Sequence, residues 1–236
     1  MIIFPAIDLY KGEAVRLFKG DYDKKTVYGD PVGFAEDFVK CGATHIHVVD
    51  LEGAKTGETP NFNTVKQIKE KSGLFLEVGG GIRNAETVER YLSAGADRVI
   101  LGTAAIKDAD FLTASVKKYG DRIAVGADVK DGYIAVNGWT ESSDRKLDRF
   151  LSDMEKLGVK NVICTDISKD GAMQGTNVEL YMSLIKRFDM NITASGGVSR
   201  INDVIKLKNM GLYGAIIGKA YYTGDINLKE AIEVAK

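Results

Sequence analysis

The sequence predicts a single (β/α)8 barrel (TIM barrel), an α/β fold, and three observations support this class. Short apolar runs alternate with amphipathic segments eight times along the 236 residues, close to the usual length of such a barrel. Most runs are rich in Val, Ile and Leu and lack polar alternation, as expected for parallel strands covered on both faces. Glycines and aspartates that follow the runs recur at matched positions in the two halves of the chain.

The predicted elements follow one another in strict alternation. The eight predicted strands are Ile2–Ile7, His45–Val49, Phe75–Val78, Arg98–Leu101, Ile123–Ala127, Asn161–Cys164, Asn191–Ala194 and Ala215–Ile217. The eight predicted helices are Val32–Lys40, Asn63–Glu70, Ala85–Ala94, Ala109–Tyr119, Leu147–Leu157, Val178–Phe188, Asn202–Met210 and Leu228–Val234. Five helices end at a glycine typical of a C-terminal cap, namely Gly42, Gly95, Gly120, Gly158 and Gly211. A doubly wound open sheet is the alternative arrangement of the same elements.

The two halves of the chain resemble each other. Gly80 and Gly196 lie 116 residues apart within similar stretches, LEVGGGIR and NITASGGVSR. Residues 1–120 and 121–236 are therefore predicted to be two copies of a four-strand half-barrel. Because neither half could close by itself, we expect one domain over residues 1–236.

The overall composition excludes several classes of protein. Hydrophobic residues make up 44% and charged residues 28% of the chain, as in ordinary globular proteins. The formal net charge of −1 does not favour a nucleic-acid partner, which a basic stripe would indicate. The sequence has no apolar run of about 18 residues and no basic segment followed by an apolar one at its start. We therefore expect a cytoplasmic protein with no membrane contact.

Few residues suit metal binding or redox chemistry. Cys41 and Cys164 each lack a second cysteine at metal or disulfide-exchange spacing, so both are expected to be buried small apolar residues. His45 and His47 alternate on the second predicted strand without a third ligand at suitable spacing. We expect these histidines to pack or hydrogen-bond, and we expect no metal site.

Two aspartates are the candidate catalytic residues. Asp8 follows the first predicted strand and Asp128 follows the fifth, and barrel active sites form where the strands end. Since the first and fifth strands of eight are opposite each other, the two carboxylates should face across one cavity as an acid–base pair. The alternative is that each aspartate caps a turn or pairs with a nearby lysine, Lys11 or Lys130.

Four glycine loops are candidate phosphate sites. Gly80–Gly81 should act together with Gly102–Thr103, and Gly196–Gly197 with Gly218–Lys219, because each pair of loops follows two adjacent strands. Glycines let backbone N–H groups approach a phosphate closely, and the first turn of a helix adds partial positive charge. A lone glycine turn needs only its dihedral angles, but four matched loops predict a ligand with a phosphate at each end. Arg83 is a candidate supporting cation.

Further polar residues should border the same cavity. Asp50 follows the second predicted strand, and Thr165, Asp166 and Asp170 follow the sixth. Asp50 and Asp170 are candidate substrate-binding residues. Thr165 could bind a sugar hydroxyl or orient Asp128, or it could have only a structural role at the strand end.

Two loops could close over the ligand. Trp139, the only tryptophan, falls in the loop after the fifth strand, where it could stack on a flat heterocycle or pack against its own loop. Lys19, Gly20 and Asp21 belong to a long first loop that could close as a lid.

Seven motifs carry a resemblance to a known family. Together they resemble the phosphoribosylformimino-aminoimidazole carboxamide ribonucleotide isomerases of histidine biosynthesis, in order from about residue 1 to 225. The motifs are FPAIDLYKGEAVRLFKGDY, HVVDLEGA, VGGGIR, GADVKDGYIAVNGW, DISKDG, SGGV and IIGKAYYTG. The resemblance implies an Amadori rearrangement without a cofactor, in which a bisphosphorylated aminoaldose becomes an aminoketose.

The resemblance also implies residue roles. Asp8 matches the general base that removes the proton from the sugar C2, and Asp128 matches the general acid that protonates the ring oxygen. Thr165 matches the residue that supports the acid, and Trp139 matches the loop aromatic over the carboxamide-imidazole. The implied partner is a small-molecule bisphosphorylated substrate, with no obligate protein partner.

Three other functions remain open at this point. The cyclase subunit of imidazole glycerol phosphate synthase shares the half-barrels, the phosphate sites and the aspartates, but PAIDL and Gly138–Trp139 favour the isomerase. A dual-substrate isomerase that also converts phosphoribosyl anthranilate would differ mainly in its loops. A non-catalytic phosphosugar-binding module is the third possibility, since a barrel fold does not dictate function.

Overall fold

A computed structural model describes residues 1–18 and 20–236 and shows a closed parallel barrel. The strands of the described residues are β1 (Ile2–Tyr10), β2 (Glu13–Phe18), β3 (Asp21–Gly29), β4 (His45–Asp50), β5 (Phe75–Gly79), β6 (Arg98–Leu101), β7 (Ile123–Lys130), β8 (Tyr133–Val136), β9 (Glu141–Lys146), β10 (Asn161–Asp166), β11 (Asn191–Ser195) and β12 (Gly214–Ile217). The parallel order is β1, β4, β5, β6, β7, β10, β11, β12, and β12 pairs back with β1. The predicted (β/α)8 barrel is confirmed.

Helices surround this barrel. They are α1 (Pro31–Lys40), α2 (Leu51–Thr56), α3 (Phe62–Ser72), α4 (Ala85–Ser93), α5 (Thr103–Lys107), α6 (Ala109–Tyr119), α7 (Leu147–Leu157), α8 (Val178–Arg187), α9 (Ile201–Asn209), α10 (Lys219–Tyr222) and α11 (Leu228–Ala235), with a 3₁₀ turn at Gly120–Arg122. The eight predicted helices are all present, and their ends lie within two residues of the predicted ones. The short helices α2, α5 and α10, which the sequence analysis missed, follow strands at the barrel mouth.

Two apolar regions hold the fold together. The main core lies between the outer face of the barrel and the helices, and it includes Phe38, Leu76, Tyr91 and Phe150. A smaller cluster fills the barrel interior below the mouth, with Phe4, Ala6, Ile100, Ala124, Ile163 and Ile216. The interior is therefore packed with side chains, so that a ligand can enter only from the end of the barrel.

Two antiparallel hairpins stand on the mouth of the barrel and correct the predicted loops. β1 and β7 each extend three residues beyond their predicted ends and pair with β2 and β8, which in turn pair with β3 and β9. The predicted first loop is thus mostly strand, with Gly20 before β3 and Asp21 as its first residue. Lys19 lies outside the described residues.

Within the described part of the chain, no helix is both long and apolar enough to cross a membrane.

Candidate active site

One open cavity at the carboxyl ends of the barrel strands brings together most of the predicted site residues. Those that line it are Asp8, Gly80, Gly81, Arg83, Gly102, Thr103, Asp128, Trp139, Thr165, Asp170, Gly196, Gly197, Gly218 and Lys219. The cavity lies at the end of the barrel where TIM-barrel enzymes carry their active sites. Two carboxylates and two pairs of glycine loops can therefore contact one ligand.

Asp8 is held by an arginine that sequence reasoning did not consider. Asp8 lies near the end of β1 and pairs in register with Val15 of β2, so the hairpin folds the next residue, Arg16, back over the mouth. The Arg16 guanidinium lies 2.8 Å from Asp8 Oδ2. Burial lowers the pKa of Arg16, but the charges of Asp8 and Asp170 outweigh this effect and raise it overall. The alternative considered for Asp8 was a nearby lysine such as Lys11, but the ion pair is made by Arg16.

Asp128 has polar contacts of a different kind. It is level with Thr165 on the adjacent strand β10, and the Trp139 indole N–H donates a hydrogen bond of 2.8 Å to its Oδ2. Burial raises the pKa of Asp128, while the hydrogen bonds from Trp139 and Thr165 oppose the rise. A carboxyl group with a raised pKa suits proton donation, and Thr165 is placed to orient it.

Asp170 is a third acid at the mouth. It lines the cavity in the turn after β10. Burial raises the pKa of Asp170 to about 6, helped by the nearby charges of Asp8 and Asp128 and opposed by Arg16 and Lys219. The side chain predicted only to bind substrate therefore lies among the charged groups of the candidate catalytic centre.

The first pair of glycine loops follows β5 and β6. Gly80 and Gly81 have φ angles of 103° and 74°, and a Cβ on Gly81 would lie 2.0 Å from the carbonyl oxygen of Gly53. Glycine is therefore required by the neighbouring backbone even without a ligand. Helix α4 begins at Ala85, as predicted and four residues after Gly81, so the loop itself offers the N–H groups of a turn. Gly102, by contrast, directly precedes α5.

The second pair follows β11 and β12 and has an additional cation. A Cβ on Gly197 would lie 2.4 Å from the carbonyl oxygen of Gly175, and one on Gly218 would lie 1.6 Å from Arg16 Nη2. The Arg16 guanidinium thus covers the residue before α10, while Lys219 Nζ donates to the carbonyl oxygen of Gly171 at 3.0 Å. Arg16 therefore connects this loop pair with Asp8. The sequence signal that could have indicated Arg16 was its place in the motif VRLFKG, eight residues after Asp8.

Arg83 lies at the rim near the first loop pair. It is exposed, and its Nη2 donates to the carbonyl oxygen of Ala54 at 3.0 Å. The side chain lines the cavity and keeps other donors for an incoming anion.

Asp50 lies apart from the other candidate site residues. It is fully buried and does not line the cavity. Its side chain caps α2 by accepting a hydrogen bond from Gly53 N–H, and it also accepts from the backbone and the side chain of Asn61. With these donors on both of its oxygens, Asp50 stabilises the loop after β4. The same arrangement recurs 116 residues later, where Asp166 accepts from Asn177 Nδ2 at 2.6 Å.

Trp139 lies between the two hairpins over the cavity. Trp139 itself has a φ angle of 71°. Its ring packs against Gly20, where an added Cβ would lie only 2.7 Å from Trp139 Cε3. In this position the indole contacts both a candidate catalytic acid and the first hairpin. The ring also lines the cavity, so it can contact a ligand while its N–H stays on Asp128.

The histidines have separate environments. His47 borders the cavity and its Nδ1 lies 2.8 Å from Glu77 Oε1, whereas His45 packs between Phe4 and Phe75. Among the residues described, no group of three or more His, Cys, Asp or Glu side chains is arranged to hold a metal ion.

A model of the histidine biosynthesis protein family matches residues 2–227. The chain belongs to this family. Three relatives in it share the name 1-(5-phosphoribosyl)-5-((5-phosphoribosylamino)methylideneamino) imidazole-4-carboxamide isomerase. The protein of Brachyspira hyodysenteriae is 48% identical over 237 residues, covering 100% of both chains. That of Lactococcus lactis subsp. cremoris strain SK11 is 50% identical over 98% of this chain and 95% of its own. The protein of Clostridium acetobutylicum is 49% identical over 99% of this chain and 98% of its own.

Proposed function

We propose that the protein is the histidine-biosynthesis isomerase that its relatives' names describe. It converts the bisphosphorylated aminoaldose, phosphoribosylformimino-aminoimidazole carboxamide ribonucleotide, into the corresponding phosphoribulosyl aminoketose. The observation that carries this proposal is the shared cavity, in which Asp8 and Asp128 stand between two pairs of glycine loops. A ligand with a phosphate at each end can span the mouth and place its reacting sugar between the two acids.

The two loop pairs bind the phosphates. Backbone N–H groups of Gly81 and Gly102 face one end of the ligand, and those of Gly197 and Gly218 face the other. Arg83 adds charge at the first end, and Arg16 does so at the second. Binding energy from these remote contacts holds the sugar in a reactive position.

The rearrangement then needs one proton donor and one proton acceptor. Asp128, whose pKa burial raises, protonates the ring oxygen while the exocyclic nitrogen supplies electrons, so that the furanose opens to a Schiff base. Asp8 removes the proton from C2 and gives an enamine, which tautomerises to the ketone. Thr165 orients Asp128. The protons are redistributed within the substrate, so no cofactor takes part.

The proposal extends to the setting of the reaction. All the acids and phosphate-binding loops come from one chain, which supports a small-molecule substrate with no obligate protein partner. We place the reaction in the cytoplasm, together with the rest of a biosynthetic pathway for a small molecule.

We also propose that residues 1–120 and 121–236 are two copies of one half-barrel unit. The carboxylate–amide pairs Asp50–Asn61 and Asp166–Asn177 support this, because they recur at the same spacing of 11 residues and cap corresponding loops. The two halves have diverged where the substrate requires asymmetry. Arg16, for example, lies against Gly218 of the second loop pair.

Turnover of the purified aminoaldose tests the function. Wild-type protein should form the aminoketose without ammonia or a glutaminase partner, and Asp8→Asn and Asp128→Asn should each lower kcat by about 10²- to 10⁴-fold. Asp144→Asn, on the exposed strand β9, is the matched control and should retain full activity.

The alternatives give different results in the same assay. Dependence on ammonia would indicate the cyclase, and conversion of phosphoribosyl anthranilate in parallel would indicate a dual-substrate isomerase. Binding of the aminoaldose without turnover by the wild type would refute the proposal and leave a binding module.

A further inference from the structure

A buried polar chain lies directly below the mouth of the barrel. His47, Glu77 and Arg98 are level with one another on the neighbouring strands β4, β5 and β6. His47 Nδ1 lies 2.8 Å from Glu77 Oε1, and Arg98 Nη1 lies 3.2 Å from Glu77 Oε2. Glu77 is 0% exposed and the other two are below 9%. Much of the remaining barrel interior consists of apolar side chains such as Ile100 and Ile163.

The chain sets which nitrogen of His47 carries a proton. Burying a carboxylate is costly unless it is paired, and Glu77 has Arg98 on one oxygen and His47 on the other. A carboxylate can only accept hydrogen bonds, so Nδ1 of His47 must carry the proton that it donates to Glu77. In the neutral ring Nε2 is then a hydrogen-bond acceptor.

His47 is the point where this chain reaches the active site. Its ring borders the cavity that Asp8 and Asp128 also line. Glu77 and Arg98 do not line the cavity and act only through His47.

The other histidine makes none of these contacts. His45 lies two residues deeper on β4, where its Nδ1 is 2.8 Å from Thr44 Oγ1 and its ring packs between Phe4 and Phe75. It does not line the cavity. His45 is therefore a matched control for His47.

We propose that His47 is a substrate-positioning residue whose Nε2 accepts a hydrogen bond from a hydroxyl of the sugar that is isomerised. This rests on the proposed function, because the reacting sugar is what lies between Asp8 and Asp128. The hydroxyl groups are the hydrogen-bond donors that such a sugar presents to the cavity floor. Glu77 and Arg98 fix the tautomer that makes Nε2 an acceptor, and His47 thereby sets the orientation of C2 toward the base.

Kinetic variants test this positioning. His47→Leu removes both nitrogens and should lower kcat by about 10- to 100-fold, the range expected for one oriented hydrogen bond. KM should change less than about threefold, because the phosphate loops bind the ends of the substrate. His47→Gln keeps an acceptor near the Nε2 position and should recover kcat to within about fivefold of wild type. His45→Gln should match wild type.

The tautomer can be read without a variant that might misfold. The chain has two histidines, so labelling histidine with ¹⁵N gives two pairs of ring signals, which His45→Gln assigns. His47 should show a protonated Nδ1 and an unprotonated Nε2 in the ligand-free wild type. Adding the aminoaldose to Asp8→Asn, which slows turnover, should shift the Nε2 signal of His47 and leave His45 unchanged.

Each result decides for or against the proposal. It is overturned if His47→Leu turns over like wild type, if Nε2 of His47 is protonated, or if its signal does not respond to the aminoaldose. If His47→Leu fails to fold, the ¹⁵N result decides alone. Failure of the proposed function is distinct, because the wild type would then show no turnover of the aminoaldose.

Discussion

The buried carboxylate of Asp170 should destabilise the folded protein at neutral pH, so that replacing it with an uncharged residue should increase stability. Burial raises the pKa of Asp170 from its ordinary value of 3.8 to about 6. Each pKa unit corresponds to 1.36 kcal/mol, so ionisation of Asp170 costs the folded state about 3 kcal/mol. Asp170→Asn removes this cost and should raise the free energy of unfolding by up to that amount at pH 7.

The pH dependence follows from the same shift. A carboxyl group with a raised pKa in the folded state binds its proton more tightly there than in the unfolded chain. Its destabilising effect is therefore absent below about pH 4, grows as pH rises through the window between 3.8 and about 6, and is constant above it. The stability difference between Asp170→Asn and wild type should follow this curve.

Denaturant unfolding at several pH values between 4 and 8 measures the difference. At pH 7 the gain should correspond to about 6–12 °C in Tm for a chain of this size. We expect kcat/KM to fall about 10-fold or more, because a carboxylate that lines the cavity is lost. Asp144→Asn on the exposed face of β9 should change neither. A gain in stability that is the same at pH 4 and pH 7, or a loss at pH 7, would refute the reasoning about burial.

Three further substitutions test other parts of the site. Gly81→Ala should be on the order of 3 kcal/mol more destabilising than Gly12→Ala in denaturant unfolding. Both residues have positive φ, but only at Gly81 would the Cβ meet a backbone oxygen, at 2.0 Å; equal costs would contradict the steric argument. Trp139→Phe removes the N–H that stabilises the Asp128 carboxylate, so the pKa of Asp128 should rise and the high-pH limb of the kcat profile should move to higher pH; a shift to lower pH would contradict this. Asp50→Asn should lower stability by about 2–4 kcal/mol because an amide cannot accept from all the donors around it; a raised KM at unchanged stability would restore its expected role in binding.

The sequence was enough to predict which aspartates and glycines follow the ends of the barrel strands. An apolar run followed by an aspartate or by two glycines is a local pattern, and parallel strands all end at the same face of a barrel. For this reason the sequence predicts that Asp8, Asp128 and the four glycine loops line one cavity, and they do so.

The same local pattern did not distinguish Asp50 from Asp170. Both follow a strand, yet Asp50 turns away from the cavity toward Asn61, 11 residues further along the chain, while Asp170 faces the acids of the mouth. The difference depends on which donors the folded loop brings within hydrogen-bond distance, and residue type and spacing do not encode this.

The sequence by itself determined the alternation of strands and helices, the closure into a barrel and the face on which the chemistry lies, because each follows from short-range periodicity and the direction of parallel strands. Only the tertiary structure decided that Arg16 pairs with Asp8, that Trp139 donates to Asp128 and that Glu77 holds His47 at the floor of the cavity. Each of these contacts joins separate strands or loops, so it exists only after the barrel has closed.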